Sequence, residues 1–179
     1  MMQEKITGEK VYIRPITYAD TELIVRWRNA DNVRQYFIYR GEFTAESHER
    51  WMKEQVETGK VVQFIVCDIV DDRPVGCTYI HDIDIQEKSA EYGVFIGEEE
   101  YRGKGIGKEA LKLTLQVAFD ELKLDKIISR AISTNKASIN CFINSGFRIT
   151  QETTQITVPD NTEVPVTMME IEKKDLMEK

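Results

Sequence analysis

A chain of 179 residues, 41% hydrophobic and with only four prolines, has the size and composition of one domain with its own core. Its net charge of −7 argues against a general nucleic-acid binder, which would carry a basic face. Cys67, Cys77 and Cys141 form no C-x-x-C pair and are odd in number, and no apolar run approaches the roughly 20 residues that span a bilayer, so a soluble cytoplasmic protein without disulfides, metal centre or membrane contact is expected.

In chain order, residues 10–14 are an apolar stretch that stops at Pro15 and reads as a strand. Thr17 and Asp20 have the spacing of a helix N-terminus, where side-chain oxygens satisfy free amides; Leu23, Ile24 and Trp27 then share one helical face. A second helix is expected over 45–57. Residues 61–67, 75–83 and 89–96 read as three strands, the first two joined by the turn Asp71-Asp72-Arg73-Pro74. Their short links predict an antiparallel meander. The stretch 105–122 carries two apolar stripes, one through Ile106, Ala110, Leu113 and Val117 and one through Leu111, Leu115, Ala118 and Leu122, so a helix there is buried over a wide arc. A strand over 126–132 and a helix over 136–145, capped by Asn135 and ended by Gly146, come next. Strands over 147–150 and 164–171, with Pro159-Asp160-Asn161 in the loop between them, close the chain. The expectation is a single mixed α/β (α+β) domain over 1–179, with an antiparallel sheet and a β-α-β unit in its second half.

The segment 97–109 carries the chemistry. A strand ends, an apolar helix begins, and between them lie three glycines at alternate positions with Arg102, Lys104 and Lys108. A helix N-terminus offers unpaired amides and partial positive charge, and glycines let an anion approach the backbone. The spacing does not fit a P-loop, since only three residues separate Gly103 from Gly107 and Glu109 follows Lys108. Nor does it fit a dinucleotide fingerprint, because Lys108 stands where the last glycine belongs.

What it matches is R-x-x-G-x-G, in Arg102-Gly103-Lys104-Gly105-Ile106-Gly107, and through it the chain resembles the GNAT N-acetyltransferase family. The resemblance continues in Val11-Tyr12-Ile13-Arg14-Pro15, in Ala90-Glu91-Tyr92-Gly93-Val94-Phe95-Ile96, and in Asn135-Lys136-Ala137-Ser138-Ile139-Asn140 followed by Ser145-Gly146-Phe147. It implies a sheet of six to seven mostly antiparallel strands flanked by helices, and direct transfer of acetyl from acetyl-coenzyme A to an amine. By motif position the cofactor contacts would be Val94, Phe95 and Ile96 on the strand, residues Arg102, Gly103, Lys104, Gly105, Ile106, Gly107 and Lys108 in the loop, and Asn135, Ser138 and Phe142 on the last cofactor helix. Many members carry a tyrosine as general acid where this chain has Phe142; Ser138, Asn140, Cys141 or water would have to replace it.

An alkylamine must lose a proton before it attacks, so a base is required. Glu91, where some family members carry a catalytic glutamate, is one candidate; His81, with Asp82 and Asp84 nearby, is the other. Strand parity puts Glu91, Gly93 and Phe95 on one face and Tyr92, Val94 and Ile96 on the other.

For the acceptor, Trp27, Arg28, Arg34 and Tyr36 belong to a group dense in arginines and aromatics, with Phe37 and Tyr39, that suits a planar anionic ligand. Trp27-Arg28-Asn29 with His48-Glu49-Arg50-Trp51 resembles the family branch of ribosomal-protein-alanine and amino-sugar-nucleotide acetyltransferases. A nucleotide-linked amino sugar is therefore the expected small-molecule acceptor. A polyamine held by Glu42, Glu46 and Glu49, or a protein N-terminus, is the alternative, and a non-enzymatic acyl-coenzyme A binding module is the alternative of another class. A homodimer is left open.

Overall fold

The computed structural model describes residues 5–38, 40–158 and 161–177; Tyr39 of the aromatic group and Pro159 and Asp160 of the last loop lie outside these. The chain begins with β1 (Ile6–Thr7) and β2 (Val11–Pro15), then α1 (Thr21–Asn29), α2 (Asp31–Arg34) and α3 (Ala45–Trp51). The meander follows as β3 (Val62–Asp68), β4 (Pro74–Asp84) and β5 (Ser89–Ile96). The second half is α4 (Ile106–Gln116), β6 (Lys126–Ile132), α5 (Lys136–Ile143), β7 (Arg148–Thr157), β8 (Glu163–Glu172) and α6 (Lys173–Met177).

All strands join one sheet in the order β1-β2-β3-β4-β5-β6-β8-β7. Every pair is antiparallel except β5 with β6, where α4 makes the crossover. The sheet has eight strands, not the six to seven expected. The added strand is the two-residue β1; β7, expected over 147–150, runs on to Thr157. β7 is an exposed edge rich in threonine and glutamine, without the apolar alternation that marks a half-buried strand. The short α2 and α6 also carried no helical period.

The two faces of the sheet bury different partners. On one, Leu111, Leu115 and Ala118 of the α4 region pack against Val66, Tyr92 and Ile127. On the other, Ile24 and Trp27 of α1 pack against Ile65, Cys67 and Cys77. α1 is tied down at its entry, where Asp20 accepts from the Thr17 amide at 2.9 Å and pairs with both Arg14 terminal nitrogens at 2.9 and 2.7 Å. Desolvation raises the Asp20 carboxyl, but the Arg14 and Thr17 hydrogen bonds outweigh it and hold the group below its usual range.

His48 of α3 is fully buried behind α1. Its Nδ1 hydrogen-bonds Thr21 Oγ1 at 3.1 Å, and its ring stacks on Trp51. Burial pushes the imidazole down to about 4, with Asp20 opposing and Arg28 assisting. An unfolded histidine titrates near 6.5, so between these values the unfolded chain binds more protons than the folded one. This contribution is complete above about pH 6.5 and is lost as pH falls towards about 4, by about 3 kcal/mol in all. Urea unfolding should show stability falling over that window. His48→Gln should be less stable at neutral pH but lack most of the slope; an unchanged slope would assign it to other groups.

Candidate active site

The site begins where the sheet splits. β5 and β6 are paired only through Ser89↔Lys126, Ala90↔Ile127 and Glu91↔Ile128. Beyond Glu91 both strands continue without pairing to each other, β6 staying on β8 and β5 staying on β4. Backbone groups of β5 beyond this point therefore open onto a gap, and Ser129 Oγ spans part of it by donating to the Tyr92 carbonyl at 3.0 Å. A cavity of about 1410 Å³ runs through the gap.

The α4 end of this cavity is shaped for an anion. Gly103 (φ 73°) and Gly105 (φ 82°) take left-handed conformations that turn the chain into α4, and no side chain caps the first amides of that helix. Gly107 differs from them. It has ordinary helical geometry, and a Cβ built on it would meet no atom within 4 Å. Nothing in the chain itself calls for glycine there, and alanine would favour the helix by about 1 kcal/mol. The bare backbone instead fits close approach of a phosphate-bearing ligand. Ile106, Lys108, Asn135 and Ser138 line the same cavity, as do Val94, Phe95 and Ile96. Asn135 also caps α5, its Oδ1 accepting from the Ser138 amide at 3.2 Å.

Of the basic loop residues expected to face the ligand, Arg102 lines the cavity but is also held by backbone carbonyls, and Lys104 lies outside it. Arg102 donates twice to the Ile96 carbonyl, at 3.1 and 3.0 Å, and once to that of Asn32 at 3.2 Å. Its guanidinium bolts the loop to β5 and α2. Lys104 lies over the Tyr101 ring, 5.4 Å from its centroid, and is not among the cavity residues. Phe142 is buried edge-on to Tyr92 and Phe147, as an apolar side chain should be, and has no proton to give. Cys141 lines the cavity, with burial pushing its thiol up.

On the opposite face of β5 lies the α1–α3 end. Trp27 does not reach the cavity. It is 2% exposed, its Nε1 donates to Glu98 at 2.9 Å, and its ring covers Gly97 so closely that any side chain there would collide. Arg34 is turned away as well, its Nε donating to the Arg40 carbonyl at 2.7 Å. Arg28 and Tyr36 do line the cavity, and the Arg28 guanidinium carbon lies 3.4 Å from the Phe37 ring centroid and 4.9 Å from that of Phe43. His48, Trp51 and Tyr79 are wall residues that sequence reasoning did not assign a role.

Glu91 and His81 stand directly opposite each other on β5 and β4. Glu91 is not a solvated strand carboxylate. Arg130 of β6 donates to one of its oxygens from Nε at 2.8 Å and lies 2.7 Å from the other through Nη2. His81 Nδ1 is 3.0 Å from Asp82 Oδ2, and its Nε2 is 3.8 Å from Glu91 Oε1. His81, Asp82 and Glu91 are close enough to share a cation, but the Arg130 guanidinium already supplies positive charge to Glu91.

A forked sheet beside a helix start with an unobstructed glycine is the geometry that a coenzyme A pyrophosphate and pantetheine arm require. Residues 10–148 match the model of the acetyltransferase (GNAT) domain. The chain belongs to the GNAT acetyltransferase family. Members take their acetyl group from acetyl-coenzyme A, and the chain is an acyltransferase of this kind. It is 28% identical over 152 residues to the probable N-acetyltransferase YjcK of Bacillus subtilis, covering 79% of this chain and 82% of that protein. It shares its fold with spermidine N-acetyltransferase from Vibrio cholerae, solved with CoA and spermine (TM-score 0.84, 20% identity, 95% and 99% of the two chains). It also shares it with the ribosomal-protein-S5-alanine acetyltransferase from Vibrio fischeri (TM-score 0.80, 19% identity, 96% and 97%). No helix among the described residues is long and apolar enough to cross a membrane.

Gly107→Ala separates ligand from fold. Without ligand its melting temperature should equal or exceed that of wild type, because alanine is the better helix former. Coenzyme A should stabilise wild type by mass action, and the variant should lose at least tenfold in affinity by calorimetry. Unchanged affinity would move the pyrophosphate away from this helix start.

Proposed function

We propose that the protein transfers acetyl from acetyl-coenzyme A to a primary amine on a small molecule, a nucleotide-linked amino sugar ahead of a polyamine. The coenzyme would lie with its pyrophosphate at Gly105, Ile106, Gly107 and Lys108 and its arm along Val94, Phe95 and Ile96. The thioester supplies the acetyl group: a C–N bond forms, the C–S bond breaks, and the ammonium yields one proton to a base and one to the departing sulfur. The strand backbone beside the gap offers amides for the carbonyl oxygen. His81 and Glu91 are the groups placed to handle the first proton.

The observation that carries the acceptor reading is Arg28. It presents a cation backed by the Phe37 and Phe43 rings on the wall of the α1–α3 end. Guanidinium pairs with phosphate through two hydrogen bonds, and the neighbouring rings suit a planar base. The carboxylates that would hold a polyamine lie outside the cavity itself: Glu46 and Glu49 line an adjoining shallow surface pocket that shares Gln55 and Lys60 with it, and Glu42 lines neither. Asp82 and Glu91 do face the cavity, but each has a positive or hydrogen-bonding partner.

Arg28→Glu should raise KM for an anionic acceptor at least tenfold, the size of a lost charged hydrogen bond, while coenzyme affinity stays constant. Uridine diphosphate should compete with the acceptor, and salt should weaken both. Rapid turnover of spermidine that Arg28→Glu leaves unchanged or improves, without competition by uridine diphosphate, would replace this acceptor with a polyamine.

A further inference from the structure

Arg130 was absent from the sequence reading, yet it holds the group opposite His81. It projects from β6 just past the point where β5 and β6 part, and it crosses the gap to engage both oxygens of Glu91. His81 thus stands between two carboxylates, one of which is already engaged. The charged and titratable groups around the ring are Asp82 and Tyr79 from β4, Glu91 from β5 and Arg130 from β6. Burial pushes the Tyr79 hydroxyl up to about 12, so it stays neutral and adds no charge.

A neutral imidazole has one N–H. The Asp82 carboxylate, 3.0 Å from Nδ1, only accepts, so the proton belongs on Nδ1. Nε2 then carries a lone pair. At 3.8 Å from Glu91 Oε1 it is beyond hydrogen-bond reach, and His81 lines the cavity. Two unopposed carboxylates beside the ring would favour the imidazolium, which has no lone pair. The guanidinium offsets one of them and holds it in place.

We propose that Arg130 is a positioning residue: by engaging both Glu91 oxygens it keeps that carboxylate off the His81 ring, leaving the Nε2 lone pair facing the cavity as the proton acceptor for the incoming amine. The proton balance is simple. An N–H bond of the ammonium breaks and its electron pair stays on nitrogen as the nucleophile. The Nε2 pair forms the new N–H bond, and the imidazolium, flanked by Asp82 and Glu91, passes its proton to water. The proposal rests on an amine acceptor in this cavity and is independent of which amine it is.

The test uses the full chain without coenzyme or acceptor, so a wrong acceptor assignment leaves it untouched. The sequence holds only two histidines, and ring-nitrogen NMR can follow both, with His81→Gln supplying the assignment. In wild type the ring proton should sit on Nδ1 and the lone pair on Nε2. In Arg130→Met, Glu91 is released to pair with the ring, and signals of the doubly protonated form should dominate; Arg130→Lys, which keeps the charge but not the two-point grip, should lie between them. A wild-type ring protonated on Nε2, or an Nε2 that keeps its lone pair in Arg130→Met, would each overturn the proposal. If Arg130→Met does not fold, the wild-type tautomer and Arg130→Lys still decide.

Discussion

Parallel pairing between β5 and β6 lasts for three residues and then stops, and nearly everything functional follows from that divergence. Backbone hydrogen-bonding groups inside a protein need partners. A strand edge opened in the middle of a sheet creates a demand that an extended polar ligand can satisfy. Ser129 meets part of it from β6, and Arg130 fixes the apex by reaching back to Glu91. The gap also separates two chemical environments. Tyr92, Val94 and Ile96 face the α4 core, while Gly93 and Phe95 face the α1–α3 side with Tyr79 and Trp27. One short strand thus turns opposite faces to the α4 side and to the α1–α3 side of the cavity.

Much of this was legible in the sequence because the relevant signals are local. The meander β3–β5 and strand β6 fall within a residue or two of the stretches read from β-branched content, and the turn into α4 is written in its glycines. What the sequence could not give was the choice of partners. Arg102, Arg34 and Arg28 look alike in a string of letters. In the fold the first bonds backbone carbonyls, the second bonds its own loop, and the third lies on two aromatic rings at the cavity. Arginine carries five donors on a long stem, so its target is set by tertiary geometry.

Trp27 and Arg130 show the same limit from opposite sides. An aromatic residue next to arginines reads as a binding platform, but the i, i+3 spacing of Ile24 and Trp27 also fits a core stripe, and the core claims it. Arg130 sits in an apolar strand with no neighbouring motif; its importance appears only once the strands are laid side by side and Glu91 is seen across the gap. The extent of β7 was hidden because an exposed edge strand is held by backbone pairing with β8, to which side-chain alternation contributes little.

Glu98, just beyond β5, accepts from Trp27 at 2.9 Å and from Arg26 and Arg73 at 2.6 and 2.9 Å, while Arg102 reaches from the phosphate-side loop to α2. Those contacts tie the glycine-rich loop and the end of β5 to α1 and α2, which wall the other end of the cavity. A ligand that tightens one side therefore restricts motion on the other, and thermodynamic reciprocity makes the coupling equal in both directions. Two ligands bound at the two ends would then be coupled: the one that orders the shared contacts would lower the entropic cost for the other.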